Sequence, residues 1–180
     1  MTRDWKKLYE QKDPEIYEDD IVYSKTAMDH FANPRNVGRI ADYHGMGKFG
    51  DPSCGDSLEI TIRVDDNNVI TDIGFLVFGC AGAISTSSMA TEMVKGRTMG
   101  DAFKLTDNDV IESLGGLPEQ KRHCSLLALE ALRLALTDVL FGRKLIAEKR
   151  IANFDEYRKL RQEGKIRFEF RPVDDKGGNL

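Results

Sequence analysis

Ser57-Leu58-Glu59-Ile60-Thr61-Ile62-Arg63-Val64 alternates without a break, with Leu58, Ile60, Ile62 and Val64 on one face and Ser57, Glu59, Thr61 and Arg63 on the other. Successive side chains of a strand point to opposite faces, so this period of two describes a half-buried strand. Asp65-Asp66-Asn67-Asn68 follows, a run of short polar side chains that favours a turn. Val69 to Phe78 then returns as a second strand, more apolar and so expected to be the more central of the two. The resulting hairpin starts just after Cys54 and ends just before Cys80, which brings those cysteines to one end of it.

Beyond Cys80 the period becomes helical. Gly82 to Lys95 reads as a helix closed by Gly96. Thr98 and Thr106 read as N-caps of two short helices, the second with Asp109 three residues on and Gly115 at its end. Ser125 to Phe141 is apolar around most of its circumference, which predicts a core helix, stopped by Gly142. Ser24 to Ala32 reads as a further helix. The expected class is α+β, with a small, mainly antiparallel sheet, helices packed on one side and the cysteine loops clustered at one end.

The three cysteines lie in Ser53-Cys54-Gly55-Asp56, Gly79-Cys80-Ala81-Gly82 and Lys121-Arg122-His123-Cys124-Ser125. Their spacing alone suits three unrelated buried cysteines. Their neighbours argue otherwise, because Cys-Gly-Asp places a charge beside a freed backbone and Cys124 follows a histidine and two cations. Zinc or iron held by sulfur takes four soft or borderline ligands, so three thiolates with Asp56 or His123 complete one site. Cys54, Asp56, Cys80, His123 and Cys124 are therefore the candidate ligands, expected to converge at a partly exposed end of the domain. Cys80 and Cys124 each stand at or just before a helix start, where free N–H groups favour the thiolate. A cysteine–histidine hydrolase pair is disfavoured, because nucleophile and base usually come from separate segments and adjacent side chains seldom point toward one another.

Composition bounds the setting. The 180 residues are 41% hydrophobic and 31% charged, as expected of one ordinary globular domain with short appendages. No stretch reaches the roughly 18 apolar residues of a membrane span. The odd cysteine count, with no secretory or basic transit pattern in residues 1 to 20, points to a reducing, cytoplasmic setting. Residues 143 to 180 carry 11 basic and 7 acidic residues on an otherwise acidic chain. Their signs alternate and no aromatic-studded groove motif accompanies them, so a solvated helix face is expected there, with neither nucleic acid nor membrane as a partner.

Tyr23 to Leu140 resembles the iron–sulfur cluster assembly scaffold family of IscU and the N-terminal domain of NifU. The resemblance is carried by Asn33-Pro34-Arg35-Asn36-Val37-Gly38, by Cys54-Gly55-Asp56, by Gly79-Cys80 with Ala83-Ile84 and Thr86-Ser87-Ser88, and by His123-Cys124-Ser125. It implies a non-enzymatic scaffold that takes persulfide sulfur from a cysteine desulfurase, combines it with iron into a transient 2Fe–2S cluster, and passes the cluster to apo iron–sulfur proteins. It is compatible with a homodimer. Full thiolate ligation of such a cluster takes four cysteines; by analogy Asp56 is the hard-oxygen ligand that keeps it labile, with His123 the other candidate. A zinc-bound persulfide acceptor using the same ligands is the rival reading. Leu117-Pro118-Glu119-Gln120-Lys121 departs from the family's Leu-Pro-Pro-Val-Lys chaperone segment and keeps only its first two residues and Lys121, which bears on handoff through an Hsp70-type chaperone. The basic neighbours Lys121, Arg122 and His123 make Cys124 the candidate first sulfur acceptor, carried on a glycine-containing loop from Gly115.

The domain reading is an N-terminal arm at 1–20, a scaffold domain at 21–142 and a basic C-terminal extension at 143–180. Trp5, Leu8 and Tyr9 suit either a docking helix or a disordered arm. Ile151, Phe154 and Tyr157 suit a helix face that packs on the body, and Ile166 to Phe170 alternates like a strand. His30 and His44 are expected to be surface or hydrogen-bonded residues rather than ligands.

Overall fold

The computed structural model describes residues 23–51 and 55–167. The order of elements is α1 (Lys25–Ala32), β1 (Gly45–Asp51), β2 (Asp56–Val64), β3 (Ile70–Phe78), α2 (Ala81–Val94), α3 (Met99–Lys104), α4 (Asp107–Ser113), a 3-10 turn (Glu119–Lys121), α5 (His123–Ala147) and α6 (Phe154–Gln162). The class is α+β, a three-stranded antiparallel sheet with helices. Thr98 accepts from the Asp101 N–H and Thr106 forms a capping box with Asp109, so both threonines cap as their sequence context predicts.

The strand order β1-β2-β3 puts β2, not the more apolar β3, at the centre. The missing strand is Gly45-Met46-Gly47-Lys48-Phe49-Gly50-Asp51, whose glycines argue against a strand by propensity. Packing requires them. A methyl group at Gly45 would lie 2.2 Å from the Ala135 carbonyl oxygen, and one at Gly47 2.1 Å from that of Ala131. The glycines thus let the sheet lie directly on the backbone of α5.

Leu58, Ile60, Ile62 and Val64 enter the core with Ile73, Phe75, Leu129, Leu132 and Leu136. The opposite face of β2 is less open than alternation implies, because Glu59 and Thr61 are buried as well. Glu59 is held by Arg39 at 2.9 Å and Lys48 at 2.8 Å, while Thr61 accepts from the Ile40 N–H at 3.1 Å. The segment that follows α1 therefore covers this side of the sheet. It also bridges the free edge of β3, where the Phe75 N–H donates to the Asn36 carbonyl and the Gly38 N–H to that of Phe75.

The long helix runs from His123 to Ala147 and passes through Gly142, where sequence predicts a stop. Gly142 serves as a notch: a methyl group there would sit 2.6 Å from the Phe154 ring. The helix then turns back through α6, and Ile151, Tyr157 and Leu145 form a second small core. The expected boundary at residue 142 falls inside this helix. Ile166 and Arg167 are not in a strand; Phe168 to Phe170, like residues 1–20, lie outside the described residues.

Candidate metal and sulfur site

The first turn of the β2–β3 pairing sets Asp56 beside the end of β3, because Ser57 lies opposite Phe78. Gly79 and Cys80 follow at once, with Cys80 as the N-cap residue of α2. The polypeptide returns to the same end through the 3-10 turn, and α5 begins with His123 and Cys124. Neither helix start has a side-chain cap, so no side-chain acceptor competes for the N–H groups of either first turn. The Thr86 hydroxyl donates to the Cys124 carbonyl at 3.1 Å and ties the two helix starts together.

Cys80 Sγ lies 3.7 Å from Cys124 Sγ, and Cys124 Sγ lies 3.7 Å from His123 Nε2. The ligand atoms of Asp56, His123 and Cys124 are all within 4.8 Å of one another. Two donors bound tetrahedrally to one zinc stand about 3.5–3.8 Å apart, so Cys124 already has ligand spacing to Cys80 and to His123, and the carboxylate stands within about 1 Å of it. Asp56 is buried, and its Oδ2 has no hydrogen-bond partner among the described residues. A buried, unsatisfied carboxylate oxygen is costly and marks a place where a cation or donor belongs. Gly79 makes room for it: a methyl group there would lie 2.9 Å from Asp56 Cγ.

The structure thus brings Asp56, Cys80, His123 and Cys124 together, with Lys121 beside Gly82 at their rim. Cys54 lies outside the described residues, two positions from Asp56. His123 and Cys124 approach each other although they are adjacent, contrary to the expectation for neighbouring side chains. The thiolate-favouring helix start is outweighed at Cys124. Burial first, then Cys80 and Asp56, push its thiol up to about 12, against the opposing charge of Lys121. Cys124 is fully buried and Cys80 partly exposed. The roles of Gly79 and Thr86 escape sequence reasoning, since both depend on which segments meet in space. His30 and His44 lie elsewhere: His30 Nδ1 bonds Ser88 Oγ at 2.8 Å, and His44 stacks on Phe154 at 4.2 Å between ring centres.

Among the described residues, no helix is long and apolar enough to cross a membrane. The family described as NifU-like N terminal domain matches residues 22–145. The chain is 58% identical over 117 residues to iron-sulfur cluster assembly scaffold protein IscU 1 of Archaeoglobus fulgidus, covering 65% of this chain and 76% of the relative. It is 46% identical over 150 residues to the scaffold protein IscU of Aquifex aeolicus, covering 82% and 95%. Its fold matches the crystal structure of an iron-sulfur cluster assembly scaffold protein for the SUF system from Fervidobacterium islandicum, with a TM-score of 0.55 at 24% identity over 63% of this chain and 96% of that one. With the matched residues spanning every element from α1 to most of α5, the chain belongs to the NifU-like N-terminal domain family.

Proposed function

We propose that the protein is a scaffold on which a transient 2Fe–2S cluster is assembled and from which it is transferred to apo iron–sulfur proteins. The observation that carries this reading is the unpartnered buried oxygen of Asp56, on a carboxylate within 4.8 Å of the Cys124 sulfur and the His123 imidazole, with the Cys80 sulfur 3.7 Å from that of Cys124. The cluster is cargo. Cys54, Cys80 and Cys124 are its thiolate ligands, and Asp56 takes the remaining position, with His123 as the competing donor. A hard carboxylate oxygen binds soft iron–sulfur centres less firmly than thiolate does, which suits a site that must give its cargo up. The names of the scaffold relatives support a non-enzymatic role.

Sulfur comes from a cysteine desulfurase as persulfide, and Cys124, flanked by Lys121, Arg122 and His123, is the first acceptor in this reading. Its burial requires the groups that cover it to move aside for that transfer. The departure of Leu117 to Lys121 from the family's chaperone segment argues against handoff through the usual Hsp70-type chaperone. Zinc fits the same ligands.

Anaerobic incubation with ferrous iron, L-cysteine, a desulfurase and dithiothreitol tests the proposal. Iron and acid-labile sulfide in equal amounts, with thiolate-to-iron absorption and transfer to an apo-ferredoxin, are expected. Zinc retained without labile sulfide under those conditions would replace the scaffold by a zinc-bound persulfide acceptor.

A further inference from the structure

The face of the sheet turned away from α5 is covered over one half only. The segment 38–40 lies on the Gly74 end, where a methyl group would meet the Gly38 carbonyl oxygen at 2.4 Å and the Ile40 side chain at 3.4 Å. At the other end two rows cross the three strands, Lys48–Glu59–Leu76 and Gly50–Ser57–Phe78. Phe78 is 78% exposed and Leu76 44%. Gly50 and Ser57 are small, so Phe78 stands as one wall of a groove of about 430 Å³. Large apolar side chains exposed beside a groove mark a place where an apolar partner belongs. We infer that the occupant is the chain's own N-terminal arm, residues 1–22, with Trp5, Leu8 and Tyr9 seated against Leu76 and Phe78. The inference stands independently of the scaffold reading.

Chemistry, reach and charge each point to this segment. Trp5, Leu8 and Tyr9 are large and apolar and recur at i, i+3 and i+4, so they share one face of a helical turn. Tyr23, where the described chain begins, lies at the same end of the molecule as the groove: a methyl group at Gly82 would meet its hydroxyl at 3.4 Å. Gly82 is four residues after Phe78, hence within about 15 Å of it. Trp5 stands eighteen residues before Tyr23, which spans about 27 Å as continuous helix and about 60 Å extended. Either length reaches Phe78. Between them, Asp13 to Asp20 holds five acids and no base. That acidic run adjoins the exposed Lys25 and Lys121, whose side chain borders Gly82 together with Tyr23. The cations lie on the way from Tyr23 to Phe78 and so draw the arm toward the groove.

A segment tethered this close meets the groove at an effective concentration of about millimolar, so modest apolar contacts suffice to hold it there. An outside protein that approaches the cysteine end across Phe78 competes with the arm. Its apparent affinity is lowered by the fraction of molecules in which the groove is open.

Trp5 is the only tryptophan of the chain, so tryptophan fluorescence of the full-length protein reads the arm alone. Its emission is expected to lie to the blue of N-acetyltryptophanamide, with acrylamide quenching at least about threefold weaker. Phe78→Ser and Leu76→Ser, both at exposed positions, should move both readings toward those of the free amide while far-ultraviolet circular dichroism stays as in the parent. Leu8→Ser should release Trp5 in the same way from the arm's side. Leu140→Ser, at an exposed position on α5 beneath the opposite face of the sheet, should leave the readings unchanged. Protection should also persist over about a hundredfold dilution, because the contact is made within one chain. A parental Trp5 quenched like the free amide, or face variants that leave it protected, would overturn the inference. Protection lost on dilution would overturn it too, by giving the groove to a second copy of the chain.

Discussion

Asp56 is placed at a cost to the empty protein. Its carboxylate is buried with one oxygen unpartnered among the described residues, and Gly79 is the only kind of residue that leaves it space. Asp56→Ala should therefore stabilise the empty protein by about 1–3 kcal/mol, the desolvation cost of an unsatisfied polar group, as read by urea unfolding. The same change should slow cluster loss several-fold, because it removes the ligand that water or an incoming thiol displaces most easily. A variant that loses its cluster as fast as the parent would assign lability to His123. The histidines outside the site carry a different signature. Burial first, then nearby arginines, holds His30 and His44 below their ordinary 6.5. With depressed folded values, the unfolded chain binds more protons as pH falls, so stability is complete above pH 6.5 and declines below it. Thermal unfolding from pH 8 to pH 5 should show this decline. His44→Gln, which keeps an acceptor for the Val64 N–H but does not titrate, should make it shallower.

At the scale of the elements, the strands legible in the sequence were those whose apolar residues recur at alternate positions. β2 shows this in Leu58, Ile60, Ile62 and Val64, even though Glu59 and Thr61 on its other face are buried as well, and β3 shows it in Ile73, Phe75 and Val77. β1 does not, because Gly45 and Gly47 are dictated by the backbone of α5 rather than by the sheet's own pattern. Gly142 was misleading for the same reason, since its lack of a side chain admits Phe154 and does not end the helix. At the site, residue type and flanking chemistry pointed to Asp56, Cys80, His123 and Cys124. Their distances, the unpartnered oxygen and the burial of Cys124 come from the meeting of β2, α2 and α5, which no local pattern encodes. The glycine argument is directly measurable. Gly47→Ala must displace α5 and should cost about 3 kcal/mol or more in unfolding free energy. Gly50→Ala, whose added methyl would meet nothing closer than 3.5 Å, should stay within about 0.5 kcal/mol. Equal effects at the two positions would mean that strand propensity, not contact with the helix, explains the glycines.

Across the whole molecule, α5 joins two regions with separate duties. Its first turn carries His123 and Cys124, and fifteen residues on, about 22 Å along the axis, it carries the fully buried Asp138. Asp138 accepts from the Met46 N–H at 2.9 Å and from the Tyr157 hydroxyl at 2.6 Å, and pairs with Arg161. One carboxylate thus fastens β1, α5 and α6 together, and α6 lies beyond the residues that match the family. A buried charge deprived of its partner is strongly destabilising, whereas removal of both charges together costs much less. Arg161→Met should therefore cost about 3–5 kcal/mol. The double variant Asp138→Asn with Arg161→Met should recover most of that loss, because the neutral amide keeps a hydrogen-bonding group between Met46 and Tyr157 without a buried charge. Urea unfolding of the two single variants and the double variant completes the cycle; additive losses would show that Arg161 and Asp138 are not coupled. Below the unfolding transition, zinc affinity measured by competition with a chromophoric chelator should be the same in Arg161→Met and the parent. A weakened site would instead show that the α6 clasp sets the position of the helix start, and with it the spacing of the sulfurs.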